Sequence, residues 1–278
     1  MMLRFVPAAP LGAFVECLWA SEREALPHAC ERNLPTGRVD LVIALRQAHI
    51  TRLAGPGTAG ERFNAALVQG PQERSVFRDT SQASSVVGVQ FRAAGAAALL
   101  GLPMNELANR TVALADLWGS QATDLRDALQ AQPDAPSRLR LLHHALLLRL
   151  HGTEPCAADA AIAWAARQFD AMGGADAGRV ESVRAALGWS NQRFIAQFEQ
   201  RVGLTPKRYA RVRRFQSVIE RVAPGRDAPW ATLALDAGYA DQPHLVREFR
   251  AFAGLTPGRY RAVAAEQPNH VAEYPTPR

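Results

Sequence analysis

The sequence predicts an α+β chain: a β-rich N-terminal domain that ends in helices, then an all-α C-terminal domain of two helix-turn-helix units joined by a long helix. Three observations carry this reading. Short apolar runs between residues 13 and 92 are separated by turn-forming Pro and Gly; from Gly95 onward the apolar spacing becomes helical; and a heptapeptide pattern near the end of the chain recurs 51 residues later. At 278 residues the chain exceeds the roughly 100–200 typical of one domain, so two domains are expected. We place them at residues 1–152 and 155–265, with a tail at 266–278, rich in Pro, that is expected to be disordered.

The strands are expected at Ala13–Trp19, Val39–Leu45, Ala65–Gln69, Arg74–Arg78 and Ser85–Arg92, with Pro35-Thr36-Gly37, Gly55-Pro56-Gly57 and Gly70-Pro71 as the breaks between them. Val39, Leu41, Ile43 and Leu45 alternate, the period of a half-buried strand. Helical spacing follows in Ala96–Leu100, Asn105–Ala108 and Leu114–Gln130. Ser137 is placed to cap a helix that runs to Leu150, with Leu139, Leu142, Leu146 and Leu150 on one stripe and Leu141, Leu147 and Leu148 off it. Such a broad apolar surface needs two covering partners, either the two domains of one chain or a second subunit.

The repeat is the most informative feature. Gly203-Leu204-Thr205-Pro206-Lys207-Arg208-Tyr209 returns as Gly254-Leu255-Thr256-Pro257-Gly258-Arg259-Tyr260, and at the same offset Ser190 aligns with Asp241, Phe194 with Leu245, Phe198 with Phe249 and Val202 with Ala253. Each copy holds the parts of a helix-turn-helix. In the first, Val180, Val183 and Leu187 share a helical face, Gly188 supplies the turn, Ser190 caps the next helix, and Phe194, Phe198 and Val202 bury it. Gln192, Arg193, Ile195, Ala196 and Glu199 are left outside that stripe. In the second, Trp230, Leu233 and Ala237 face inward, Gly238 and Tyr239 turn the chain, and Asp241 caps a helix anchored by Leu245 and Phe249, with Gln242, Pro243, His244, Val246 and Arg247 outward. Tyr209 to Val222 reads as one helix between the units, with Val212, Phe215, Ile219 and Val222 buried and Arg208, Arg211, Arg214 and Arg221 mostly elsewhere. A rigid spacer of this kind holds both second helices on one face of a duplex, in successive major grooves.

The charge agrees. Residues 179–262 carry fifteen Arg or Lys against seven Asp or Glu, a net +8, which leaves −2 for the rest of a chain whose total is +6. The regional surplus favours nucleic acid, and nearly all of it is arginine, whose planar fork suits phosphates and guanine edges. Cys17, Cys30 and Cys156 are odd in number and far apart, which argues against a disulfide framework or structural zinc. No secretory leader is recognised, and the longest uncharged run, Ala93 to Asn105, falls short of the roughly 20 residues of a membrane span. A cytoplasmic protein is expected, with no membrane partner. The sequence holds no phosphate loop, no GxSxG elbow and no HExxH, so no enzyme is expected and no cofactor is assigned. His28, Cys30 and Glu31 sit too close in an apparent loop for a metal, and His143, His144 and His151 lack an acidic or thiol partner.

With these residues in view, the chain from about Ala157 to Val263 resembles the AraC family of transcription regulators, most specifically in Ala237-Gly238-Tyr239-Ala240-Asp241-Gln242-Pro243-His244-Leu245-Val246-Arg247-Glu248-Phe249-Arg250 and the Gly254-Leu255-Thr256-Pro257 that follows. The resemblance implies a regulator of transcription, with activation as its expected sign and double-stranded DNA as its partner. It places residues two, five and six positions after the first cap at base edges, here Gln192, Ile195 and Ala196, with Arg193 on phosphate. Ile195 and Ala196 can touch thymine methyls but make no bidentate bonds, so the second unit, with Gln242, His244 and Arg247 beside Val246, is the better base reader. Arg211 and Arg214 on the linking helix are assigned to phosphate.

The front half resembles the sensory domains that precede this DNA-binding pair in some members, through Leu34-Pro35-Thr36-Gly37-Arg38-Val39-Asp40-Leu41-Val42 and Val86-Val87-Gly88-Val89-Gln90-Phe91-Arg92. That implies control by a small-molecule effector or by a homodimer, and RNA polymerase as a further partner. Arg38, Asp40 and Arg92, polar residues in or beside apolar strands, are candidates to line an effector pocket, with a structural ion pair as the alternative. Two other functions stay open at this point: a DNA-repair methyl acceptor using Cys30, and a basic helical module that binds an acidic protein.

Overall fold

A computed structural model of the chain describes residues 2–152, 156–171, 177–222, 229–263 and 268–274. In chain order the elements are β1 (Met2–Phe5), β2 (Val15–Arg23), β3 (Cys30–Asn33), β4 (Asp40–Ala44), β5 (His49–Leu53), β6 (Gly60–Asn64), β7 (Ala66–Gln69), β8 (Val76–Asp79), β9 (Ser84–Phe91), α1 (Ala96–Leu100), a 3-10 turn at Met104–Leu107, β10 (Thr111–Ala113), α2 (Leu114–Trp118), α3 (Ser120–Gln130) and α4 (Ala135–Leu150). The second half supplies α5 (Ala157–Ala171), α6 (Ala177–Ala186), α7 (Asn191–Val202), α8 (Pro206–Arg221), α9 (Trp230–Asp236), α10 (Gln242–Ala253), α11 (Pro257–Val263) and β11 (His270–Glu273).

Two antiparallel sheets form the first domain, one in the order β1-β2-β9-β4-β7-β10 and the other β11-β3-β8-β5-β6. The first sheet is the one whose apolar alternation is visible in sequence. Leu41 pairs with Val89 and Val68, Ile43 pairs with Val87, and these side chains are fully buried under α1, α3 and α4. The opposite face of β4 carries Asp40, in register with Gln90 and Gln69. In the second sheet β3, β5 and β6 read Cys-Glu-Arg-Asn, His-Ile-Thr-Arg-Leu and Gly-Glu-Arg-Phe-Asn. Glu31 of β3 meets Arg78 of β8, and lies 3.6 Å from Arg23 and 3.2 Å from His28. Few residues of β3, β5 and β6 are apolar and none of these strands alternates apolar with polar along its length, which is why they lie outside the expected set.

Helix α4 begins earlier than expected. Asp134, not Ser137, is its cap, its carboxylate accepting from the Ser137 N–H at 2.7 Å. Leu139, Leu142, Leu146 and Leu150 are buried as expected, but against β2 and the neighbouring helices of the first domain rather than between the two domains, while Leu148 is left 64% exposed.

The helical half has its own aromatic core of Phe169, Phe194, Phe198, Tyr209, Phe215, Phe249 and Tyr260. The repeated heptapeptide explains itself physically. Gly203 and Gly254 end α7 and α10 in the left-handed region, at φ 91° and 66°. Leu204 and Leu255 are buried; Thr205 and Thr256 accept the N–H of Arg208 and Arg259 at 3.2 Å, capping α8 and α11; Pro206 and Pro257 open those helices; and Tyr209 and Tyr260 end in the core.

The tail differs from its expected disorder. Residues 270–273 form β11, which pairs with β3 of the first domain, His270 opposite Asn33 and Glu273 opposite Cys30. Residues 264–267 and 275–278 lie outside the described ones. The two cores also interlock: Leu34, from the loop after β3, is buried among the helical half's apolar side chains, as is Val271 of β11.

Candidate nucleic-acid interface

Each second helix of the two units is capped as the sequence indicates. The Ser190 hydroxyl accepts from Arg193 N–H at 3.3 Å, and the Asp241 carboxylate from His244 N–H at 2.6 Å. Gly188 and Gly238 turn the chain at φ 65° and 77°. Phe194, Phe198 and Val202 bury one side of α7, and Leu245, Phe249 and Ala253 one side of α10. What remains outward on α7 is Gln192, Arg193 and Ala196, all exposed, with Ile195 half-buried. On α10 it is Gln242 and Arg247, exposed, with His244 and Val246 half-buried. The Arg193 guanidinium lies over the Trp189 ring, 4.4 Å from its centroid, so its charge is held at the start of α7.

The linking helix differs from expectation at Arg214. Rather than facing DNA it is 6% exposed, donates to Glu248 of α10 at 3.1 Å, and lies 4.5 Å from the centroid of Tyr239. Gln216 and Ser217 are buried as well. Arg214 is covered by α10 and the turn before it, where its Nη1 also donates to Gly238 O at 3.4 Å, while the loop after β3 covers another side of α8: Gln216 donates to Pro35 O at 2.8 Å, and Gly37, at φ 70°, packs against Tyr209 and Val212. Sequence periodicity within one helix carries no information about that second cover. Arg211 does reach the surface, its side chain 38% exposed, while donating to Glu248 at 2.6 Å.

Glu248 was not among the expected site residues, yet it joins Arg211, Arg214 and, at 3.9 Å, His244. Its carboxylate fastens the linking helix to the second reading helix. The Tyr239 hydroxyl beside it is pushed well above the usual phenol range by burial first and by the Glu248 charge second, so it stays protonated. A carboxylate among three basic groups on adjacent helices is a signal readable only once the fold is known. Lys207 and Arg208, exposed at the start of α8, add positive charge.

Of the residues considered for an effector pocket, Arg38 and Asp40 lie close enough for the Arg38 charge to act on the Asp40 carboxyl, and each has further partners. Arg38 crosses to the second domain and pairs with Asp170 at 2.7 Å; Arg92 is exposed and donates to Gly12 O at 2.8 Å; Asp40 accepts from Gln90 at 3.4 Å. Burial pushes the Asp40 carboxyl up to about 6, and burial likewise lowers its neighbour Arg52 to about 10. Cys30 is buried and its thiol is raised by burial, the opposite of the shift that activates a nucleophile, which disfavours the methyl-acceptor reading. Among the described residues no group of three or more His, Cys, Asp or Glu is placed to hold a metal ion. No helix among them is long and apolar enough to cross a membrane.

Residues 184–262 match the family described as a helix-turn-helix domain, and residues 3–113 match the domain of unknown function DUF6597. No curated protein matches the chain. Among solved structures the chain is similar to ToxT from Vibrio cholerae, at 12% identity over 88% of this chain and 97% of that one with a TM-score of 0.47. It is also similar to unsaturated fatty acid bound ToxT from Vibrio cholerae strain SCE256, at 10% identity, 88% and 94% coverage and a TM-score of 0.48. The xylose-binding transcription activator xylR matches at 17% identity, covering 57% of this chain and 41% of that one, with a TM-score of 0.32. The doubled, capped helix-turn-helix and the match over residues 184–262 make the C-terminal part of this chain an AraC-type helix-turn-helix DNA-binding domain, with a DUF6597 domain in front of it.

Proposed function

We propose that α7 and α10 enter successive major grooves on one face of a DNA duplex, and that the first domain, residues 1–152, sets the activity of the DNA-binding domain, residues 155–265. The observation that carries this reading is the pair of reading helices with matching caps and matching C-terminal glycines, 51 residues apart, with Gln192, Arg193 and Ala196 exposed on one and Gln242 and Arg247 on the other. A single continuous helix, α8, packed on both units supports a fixed separation of the two readers. Arg193, Lys207, Arg208 and Arg211 supply phosphate contacts, and Gln192, Ile195, Ala196, Gln242, His244, Val246 and Arg247 face the bases.

Control by the first domain is supported by its contacts with the second, through Pro35, Thr36 and Gly37 on α8 and through Arg38 on Asp170 of α5. A small-molecule effector, a second copy of the chain and RNA polymerase are proposed as further partners on the family resemblance, with the cytoplasm as the site of action. Hydroxyl-radical footprinting of the intact protein tests the groove assignment. Two protected segments on one face, about one helical turn apart, support it; one protected segment, or protection without any fixed pattern, overturns it.

A further inference from the structure

The last turn of a helix leaves carbonyl oxygens with no partner inside it. In α10 two of these are taken by the first domain. Phe252 O accepts from the Ser75 N–H at 3.0 Å and from the Ser75 hydroxyl at 2.9 Å, and Ala253 O accepts from Arg32 Nη1 at 2.8 Å. The guanidinium is well placed there, since positive charge at a helix C-terminus is favoured by the helix dipole.

The same guanidinium has a second partner. Arg32 Nε donates to Glu273 Oε1 of β11 at 2.5 Å, with only 12% of the Arg32 side chain and 7% of the Glu273 side chain exposed. It also lies over the Phe77 ring, 4.6 Å from the centroid, which leaves it little freedom to turn. A Cβ at Gly254 would collide with it, so the helix terminus and the arginine fit only with glycine there. Strand β11 is itself held at several points: four registered residues on β3, Val271 at 1% exposure, Leu34 N–H to Asn269 O at 2.9 Å, Gln216 to Asn269 Oδ1 at 2.9 Å, and the Tyr260 hydroxyl to Pro268 O at 3.0 Å.

We propose that Arg32 is a positioning residue for base reading by the second unit, fastening the C-terminal end of α10 and the returning strand β11 to one edge of the first domain so that this domain sets the aim of Gln242 and Arg247. The inference rests on the reading that α10 enters a groove. Its leverage is geometric. A helix of 12 residues is about 18 Å long, so a tilt of about 10° at the clasp displaces the reading end by about 3 Å, close to the roughly 3.4 Å between successive base pairs. A small slackening at Arg32 therefore shifts Gln242, at the far end of α10, by about one base step and Arg247, half-way along it, by about half of one, while leaving the phosphate contacts of α8 in place.

The test uses the full chain and DNA selected from a random pool, comparing Arg32→Ala, Arg32→Lys, Ser75→Ala and Arg247→Ala. Base preferences are read at each half-site, together with affinity for unrelated DNA. Arg32→Ala is expected to lose about tenfold in selectivity at the second half-site, with first-half-site selectivity and affinity for unrelated DNA unchanged. Arg32→Lys is expected to share the loss, because an ammonium cannot span both partners as the planar fork does, and it carries the comparison should Arg32→Ala fold poorly. Ser75→Ala, which keeps its backbone bond to Phe252, is expected to lose less. Unchanged or sharpened second-half-site selectivity in the Arg32 variants, or equal losses at both half-sites, overturns the positioning role. If Arg247→Ala also leaves the second half-site unaffected, the groove assignment of α10 falls with it; if Arg247→Ala loses selectivity and the Arg32 variants do not, the positioning role alone falls.

Discussion

Arg38 Nη2 lies 2.7 Å from Asp170 Oδ2, so the turn into β4 of the first domain is ion-paired to the last turn of α5 in the second. The other carboxylate oxygen of Asp170 accepts from the Tyr209 hydroxyl at 2.7 Å and stands 2.8 Å from Arg213 Nε. Burial, followed by the surrounding charges, holds the Tyr209 hydroxyl well above its ordinary pKa, so it remains a donor. One aspartate thus joins a strand entry, a helix end and the linking helix.

Removing that carboxylate takes the nearest counter-charge from two largely enclosed arginines and leaves them only longer contacts, Arg38 to Glu16 at 3.5 Å and Arg213 to Glu220 at 4.0 Å. Asp170→Ala is expected to destabilise the full chain by roughly 2–4 kcal/mol, reduced from the cost of a fully buried pair by partial solvent access. Calorimetry reads it: the wild-type domains are expected to unfold together, and the variant in two separate transitions. A single transition at the wild-type temperature would show that the pair does not couple the domains.

Arg211 and Arg214 are expected to behave differently although both lie on α8. Arg211, partly exposed, contributes to phosphate binding, so Arg211→Ala weakens binding to all sequences and lowers the slope of log affinity against log salt by about one. Arg214→Ala instead leaves Glu248 short of a buried partner and costs roughly 3–5 kcal/mol of folding stability. Salt titrations and denaturant unfolding on both variants separate the two effects, and a lowered salt slope in a stably folded Arg214→Ala would contradict this assignment.

That contrast shows where sequence reading stops. The two helix-turn-helix units were legible because every part of them is local: Ser190 and Asp241 cap three residues ahead, Gly188 and Gly238 turn the chain, and Phe194, Phe198, Leu245 and Phe249 keep helical spacing. The apolar sheet was legible for the same reason, through Val39, Leu41 and Ile43. Arg214 departs from its expected place because its partner, Glu248, is 34 residues away and its cover comes from Gly238 and Tyr239 in the turn of the second unit. Strands β3, β5 and β6 show no apolar alternation because few of their residues are apolar, as in Cys-Glu-Arg-Asn and Gly-Glu-Arg-Phe-Asn, and β11 pairs with a strand at the other end of the chain. Glu248 and Arg32 owe their places to such long-range contacts.

Asp40 gives a pH-dependent expectation. Its folded pKa, about 6, lies above its ordinary value because burial disfavours the charged form. The folded state then binds the proton more tightly than the unfolded chain, so this group's contribution to stability is greatest below pH 4 and is lost as pH rises from about 4 to 6. Asp40→Asn removes that loss. Its stability relative to wild type is expected to rise across the window by no more than about 3 kcal/mol, measured by denaturant unfolding at pH 4, 5, 6 and 7. A relative stability that is flat or falling with pH would contradict a raised pKa.

The two reading helices are expected to differ in sharpness. Arg247 offers a donor fork for a base edge, and a well-aligned bidentate contact is worth about 1–3 kcal/mol of discrimination. Ile195 offers apolar contact alone and is half-buried. Arg247→Ala is therefore expected to relax one or two positions of the second half-site by that amount, and Ile195→Ala to cost less at the first. Equal or larger loss of selectivity from Ile195→Ala would reverse the ranking.

The central claim, two reading helices acting together on one duplex, is tested most directly by sequencing the DNA that the intact protein selects from a random pool. The account predicts two short conserved segments about 10–10.5 base pairs apart, centre to centre, present together in the same selected fragments. Selection of a single conserved segment, or of DNA with no sequence preference at all, would contradict it.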